Sequence, residues 1–144
     1  EALAEYQECL HIQVDRTETR SDNARTAVTR LRISCILFLT KDYGKAVLEL
    51  KESLQMLVPL LGADAPLTLQ VRTILGHALK EKMDLVGAMD AYQECLRVHT
   101  NKVGSDHHAA EMQSHIEAVN VRHAEWRYVH LVLMTFLLGC LVGR

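Results

Sequence analysis

The stretch "AMDAYQECL", Ala88 to Leu96, nearly duplicates "ALAEYQECL", Ala2 to Leu10. A third, weaker copy, "AVLELKESL", Ala46 to Leu54, keeps Ala, a central apolar residue, Glu and Leu in register. The copies open at residues 2, 46 and 88, at steps of 44 and 42 residues. Self-similarity at a fixed period of this size marks a repeat architecture in which each unit is one supersecondary motif. The 42-residue step also aligns Asp22 with Asp64 and Asp106, Ile33 with Leu75, Asp42 with Asp84 and Gly62 with Gly104, so it covers a whole unit.

Within a unit the apolar residues describe two helices. Leu67, Val71, Ile74, Leu75, Ala78 and Leu79 recur at three- and four-residue steps, which places one stripe on a 3.6-residue helix. Asp64 is the expected N-cap, with Asp22 and Asp106 its counterparts, and Pro66 falls in the first turn, where a missing amide hydrogen costs nothing. After a break near Lys82 the stripe resumes as Leu85, Ala88, Met89, Tyr92, Cys95 and Leu96. Neither helix can bury its stripe alone, whereas antiparallel pairs stacked on their neighbours bury both and wind into a superhelix with a concave side. No segment alternates with period two, so the expected fold is all-α without strands.

The chain has 144 residues, about three and a half such units, which makes the domain an array and not a globule. A formal charge of -2 gives no basic face for nucleic acid and leaves proteins as the default partners. The sequence starts at Glu1, in the middle of a unit, and so reads as a fragment for which an N-terminal targeting signal stays open. Of the four cysteines, Cys9 and Cys95 share one repeat position that is Ser53 in the middle copy, a slot for a small, nearly apolar side chain. No metal-ligand spacing joins the cysteines, and a reducing compartment is the expectation.

Three local patterns carry a resemblance. "ILGHAL", Ile74 to Leu79, holds a Leu75-Gly76 pair, "KDYGKA", Lys41 to Ala46, an Asp42-Tyr43 turn, and Ala46 and Ala88 stand where two helices pack closely. The unit resembles the tetratricopeptide repeat. Its length of 42 instead of the usual 34 or so residues, with connections "LLGADAP" (Leu60 to Pro66) and "KVGSDHH" (Lys102 to His108), is similar to the kinesin light chain and nephrocystin type. The chain departs from that family where Lys41 and Met83 stand for the glycine ending helix A, and Ser34 for the helix-A glycine. The resemblance covers roughly residues 1–122. It implies a right-handed α-solenoid in which helix A of each unit lines a concave groove that takes peptide segments of partner proteins. The groove residues it implies are Val28, Leu31, Cys35 and Phe38, then Gln70, Thr73, His77, Lys80 and Glu81, then Met112, His115, Val119 and Arg122. They grade from apolar to polar, as an anchor pocket beside a register-fixing rim would.

An enzyme needs a constellation, and the eight histidines invite one. His107, Glu111 and His115 follow at four-residue steps, close enough to one helix face for two ligands to converge, but no third protein ligand with supporting hydrogen bonds is evident, so no metal is expected there. No glycine-rich phosphate loop or GxSxG elbow occurs in the chain, and no Cys-His pair close in the chain is a plausible catalytic one. The expectation is a non-enzymatic adaptor without cofactor, cytoplasmic, binding other proteins.

The last stretch breaks the register. "YVHLVLMTFLLGCLVG", Tyr128 to Gly143, runs 16 residues without charge between Arg127 and Arg144, and His130 stands where a close-packing alanine belongs. A helix apolar all round is buried in protein or in lipid. At 1.5 Å per residue it spans about 24 Å, short of a hydrocarbon core of roughly 30 Å, while Trp126, Tyr128, Arg122 and Arg127 would flank it as interfacial and basic anchors. The division expected is thus an array over 1–122 (partial unit 1–20, units 21–62 and 63–104, partial unit 105–122) and a helix over 123–144 that caps the array or anchors it to a membrane. Two alternatives to a free adaptor follow: an array held at a membrane, and a regulatory segment of a larger enzyme.

Overall fold

The computed structural model describes residues 1–14, 20–101 and 106–142, and the side chains of these except 20, 21, 106 and 134–142. The expected connection over 102–105, with Gly104, and the distal part of the 128–143 stretch lie outside the described residues or side chains. Six helices follow one another: α1 (Ala2–Val14), α2 (Arg20–Leu39), α3 (Tyr43–Leu61), α4 (Pro66–Glu81), α5 (Leu85–Asn101) and α6 (Asp106–Val142). No strand occurs among the described residues. Each helix packs chiefly on its neighbours in the chain.

The two stripes read from the sequence are the core. Val71, Leu75, Ala78 and Leu79 of α4 and Leu85, Ala88, Tyr92 and Cys95 of α5 are buried, with Leu67, Ile74, Met89 and Leu96 packed against them. Contacts recur at the 42-residue offset as well as residue types. Ser53 Oγ donates to the Ala27 carbonyl at 2.9 Å, and Cys95 Sγ lies 3.9 Å from the carbonyl of Leu69. Arg30 pairs with Glu52 at 2.6 Å, and Arg72 with Glu94 at 3.2 Å. The shared Cys/Ser slot is therefore a packing position in α3 and α5. Cys9 is exposed, because α1 buries no residue and rests on Ile33, Leu37 and Ala46 only through Leu3, Tyr6 and Leu10.

The turns repeat too. Lys41 and Met83 both adopt left-handed backbone, with φ of 63° and 69°. After α2 the amide of Asp42 donates to the Leu37 carbonyl and that of Lys41 to Phe38, and after α4 Asp84 donates to Leu79 and Met83 to Lys80. This paired bonding closes a helix and is usually built on glycine. Asp42 and Asp84 then accept from the amides of Lys45 and Gly87 and so cap α3 and α5.

Of the N-caps expected at the other ends, Asp64 and Asp22 are corrected, and Asp106 lies outside the described side chains. Ala65 is the N-cap residue of α4, without a side-chain bond, and Pro66 opens the helix; Thr68 instead donates to the Gly62 carbonyl at 2.9 Å. Asp22 lies inside the first turn of α2, where its charge still favours the helix dipole.

Helix α6 is continuous through 124–126, where the sequence register places a turn, and so across the expected division at 122–123. The reason is local. At the 42-residue offset from Lys82, Met83 and Asp84 stand Ala124, Glu125 and Trp126, two strong helix formers and no capping aspartate, so nothing stops the helix. Its 37 residues extend about 55 Å at 1.5 Å each. Met112, Ile116 and Val119 are buried against the rest of the fold, whereas every residue over 123–133 is exposed. No helix among the described residues is long and apolar enough to cross a membrane.

Candidate functional site

Helices α4, α5 and the start of α6 enclose a groove of about 580 Å³. Leu69, Ile74 and Met112 supply its apolar floor, and Gln70, Thr73, His77, His99, His108 and Glu111 its polar walls. It forms where α4 and α6 both pack on α5.

Behind the groove residue His77 the packing is organised by Tyr92. Its phenol is 2.9 Å from His77 Nδ1, its ring stacks on His115 with centroids 5.2 Å apart, and His77 meets His115 edge-on at 4.6 Å. Gly76 allows this arrangement: a Cβ there would lie 2.6 Å from Tyr92 Cε1. Burial, helped by the charge of Glu81, raises the Tyr92 pKa far above the usual phenol range, so the phenol keeps its proton. It donates to Nδ1 when His77 carries its own proton on Nε2. Burial lowers the His77 pKa, with His115 and Lys80 acting in the same direction and Glu111 and Glu81 against it. His115 Nε2 is buried without a hydrogen-bond partner, 3.8 Å from Glu111 Oε1.

The residues implied as groove-lining are distributed unevenly. Gln70, Thr73, His77 and Met112 line this groove. Thr73 is held by the Leu69 carbonyl at 3.0 Å and sits 3.7 Å from Cys95 Sγ. His115 belongs to the Tyr92 cluster, and Val119 is fully buried, so its side chain serves the core. Lys80, Glu81 and Arg122 meet outside the groove, where Arg122 reaches the Lys80 carbonyl at 3.4 Å and Glu81 at 3.8 Å. In the first unit Leu31 and Phe38 pack on the core, Phe38 also edge-on to Tyr43 at 5.3 Å, and Cys35 is exposed. Val28 lines a separate concavity with Gln13, Arg25 and Arg32.

Pro66, Leu69, Ile74, His99, His108 and Glu111 line the groove without being among the residues the resemblance implied. His99 comes from α5, a helix the resemblance keeps off the groove, so only the fold reveals it. The histidine set singled out by spacing is rearranged as well. His115 turns inward, and the ligand-type atoms that converge are those of His107, His108 and Glu111. Cys95 is fully buried, and burial first of all raises its thiol pKa, which suits packing and not nucleophilic attack.

No protein-family model matches the chain, and no curated protein sequence matches it.

Proposed function

We propose that the chain is a tetratricopeptide-type array of the kinesin light chain and nephrocystin kind, a non-enzymatic scaffold that holds a partner's peptide segment in the groove between α4 and α6. The observation that carries this reading is the groove itself, with an apolar floor of Leu69, Ile74 and Met112 beside hydrogen-bonding walls. That combination suits an aliphatic anchor fixed in register by polar contacts. Support for the array comes from the contacts and left-handed turns that recur at 42 residues. A photo-crosslinker at exposed Gln70 should capture a defined partner peptide, identified by mass spectrometry, that the same group at exposed Leu48 does not. Filling the groove with Gln70→Arg should cut recovery of that partner more than tenfold. Equal capture at both positions, or undiminished recovery, refutes the reading.

A second reading rests on a different observation: Trp126, Tyr128, Val129, Leu131 and Leu133 are all exposed. In it, the segment 128–143 holds the cytoplasmic array at a membrane. Resistance of the chain to carbonate extraction supports this, and quantitative release argues against it.

A further inference from the structure

The first turns of α6 place His107, His108 and Glu111 so that one ligand atom from each lies within 4.8 Å of the others. His108 Nδ1 is 3.6 Å from Glu111 Oε2. The His107 and His108 rings have centroids 5.8 Å apart, and His99 of α5 stacks on His108 at 5.2 Å. We propose that His107, His108 and Glu111 form a binding site for a divalent transition-metal ion, zinc foremost, on the rim of the groove.

The chemistry argues for the class of ion. Two imidazoles and one carboxylate suit zinc, copper(II) or nickel, whereas magnesium and calcium prefer all-oxygen shells. A tetrahedral zinc with bonds of about 2.0–2.1 Å holds its ligand atoms about 3.4 Å apart. The observed triangle has to contract to that size on binding, and all three groups are exposed side chains of one helix. Stacking against His99 narrows the orientations open to the His108 ring. Three protein ligands leave a fourth position open to water or to a donor from a bound partner. Because Glu111 and His108 also line the groove, a metal there would place a Lewis acid at its edge. The site stands on these three residues whether or not the groove holds a peptide.

Isothermal titration of the full chain with zinc chloride, in a non-chelating buffer at pH 7.5, should give one ion per chain, and magnesium chloride should give no binding. His108→Ala and Glu111→Gln should each weaken zinc binding by about 10–100-fold or more, the range seen even for supporting groups around a metal. The triple variant His107→Ala, His108→Ala, Glu111→Gln should abolish it, while His123→Ala, farther along the same helix, should leave it unchanged. Zinc should raise the melting temperature of the wild-type chain and not that of the triple variant, since an ion that binds the folded state alone stabilises it. Circular dichroism checks that each variant folds. Zinc bound by the triple variant at the same stoichiometry and affinity, or magnesium bound as well as zinc, overturns the proposal.

Discussion

A methyl group at Gly76 would lie 2.6 Å from Tyr92 Cε1 and 2.8 Å from Cζ, and the ring is pinned by His77 at one end and His115 on its face. Alanine favours the helix by up to about 1 kcal/mol, but forcing atoms into a filled core costs about 1–3 kcal/mol. Gly76→Ala should therefore destabilise the fold by about 1–2 kcal/mol in urea melts. One unit earlier the same register positions hold Ser34 and Leu50, a larger residue opposite a shorter one. Tyr92→Leu introduced into Gly76→Ala should then recover part of the loss, a coupling that a double-mutant cycle measures. His77 supplies a pH dependence. Its pKa is lowered by burial, so the unfolded chain binds this proton more readily than the fold does. The contribution is complete above the unfolded value of about 6.5 and is lost as pH falls from there through the depressed folded value. Asp42 and Glu94, whose pKa values are lowered first of all by side-chain hydrogen bonds with Lys45 and Arg97, lose their contributions only in the carboxylate range below. In a chelating buffer the melting temperature should decline as pH falls below about 6.5, and His77→Asn should flatten that limb. An unchanged limb in the variant would assign the decline to other groups.

Helix ends show where local chemistry and the fold disagree. Lys41 and Met83 occupy left-handed positions that cost a side-chain-bearing residue roughly 1–2 kcal/mol each. The hydrogen-bond pattern around them is nonetheless complete, because Asp42 and Asp84 follow and cap the next helix. Met83→Gly and Lys41→Gly should each stabilise the chain, by about 0.5–1 kcal/mol once the greater freedom of glycine in the unfolded state is subtracted. Calorimetry reads this as a melting temperature a few degrees higher. A loss of stability would mean that the Met83 or Lys41 side chain makes contacts worth more than the strain. The same comparison explains α6: with Ala124, Glu125 and Trp126 in the turn register, the capping aspartate is gone and the helix runs on.

For the molecule as a whole, the helical class and the pairing of α2 with α3 and α4 with α5 were legible because burial follows period and the period repeats. Less of the groove was legible. Helix-A positions such as Gln70 and His77 could be carried over by register, but His99, His108 and Glu111 reach it only through the packing of α5 on α6. Val119, assigned to the groove by register, is core because α6 rolls that face onto its neighbours. The stretch from Tyr128 onward was legible as apolar, but that residues 123–133 stand as an exposed arm, clear of the packed helices, was not. That arrangement has a mechanical consequence: residues on α6 before and after Arg122 should differ sharply in what they contribute to stability. Val119→Ala removes two buried methyl groups and should cost about 1–3 kcal/mol. Leu131→Lys, at a residue 65% exposed, should stay within about 0.5 kcal/mol. Urea melts of the two variants at low protein concentration test this directly. A cost for Leu131→Lys that matches Val119→Ala would mean the arm folds back onto the helices in solution, and the second reading of its exposed face would fall with it.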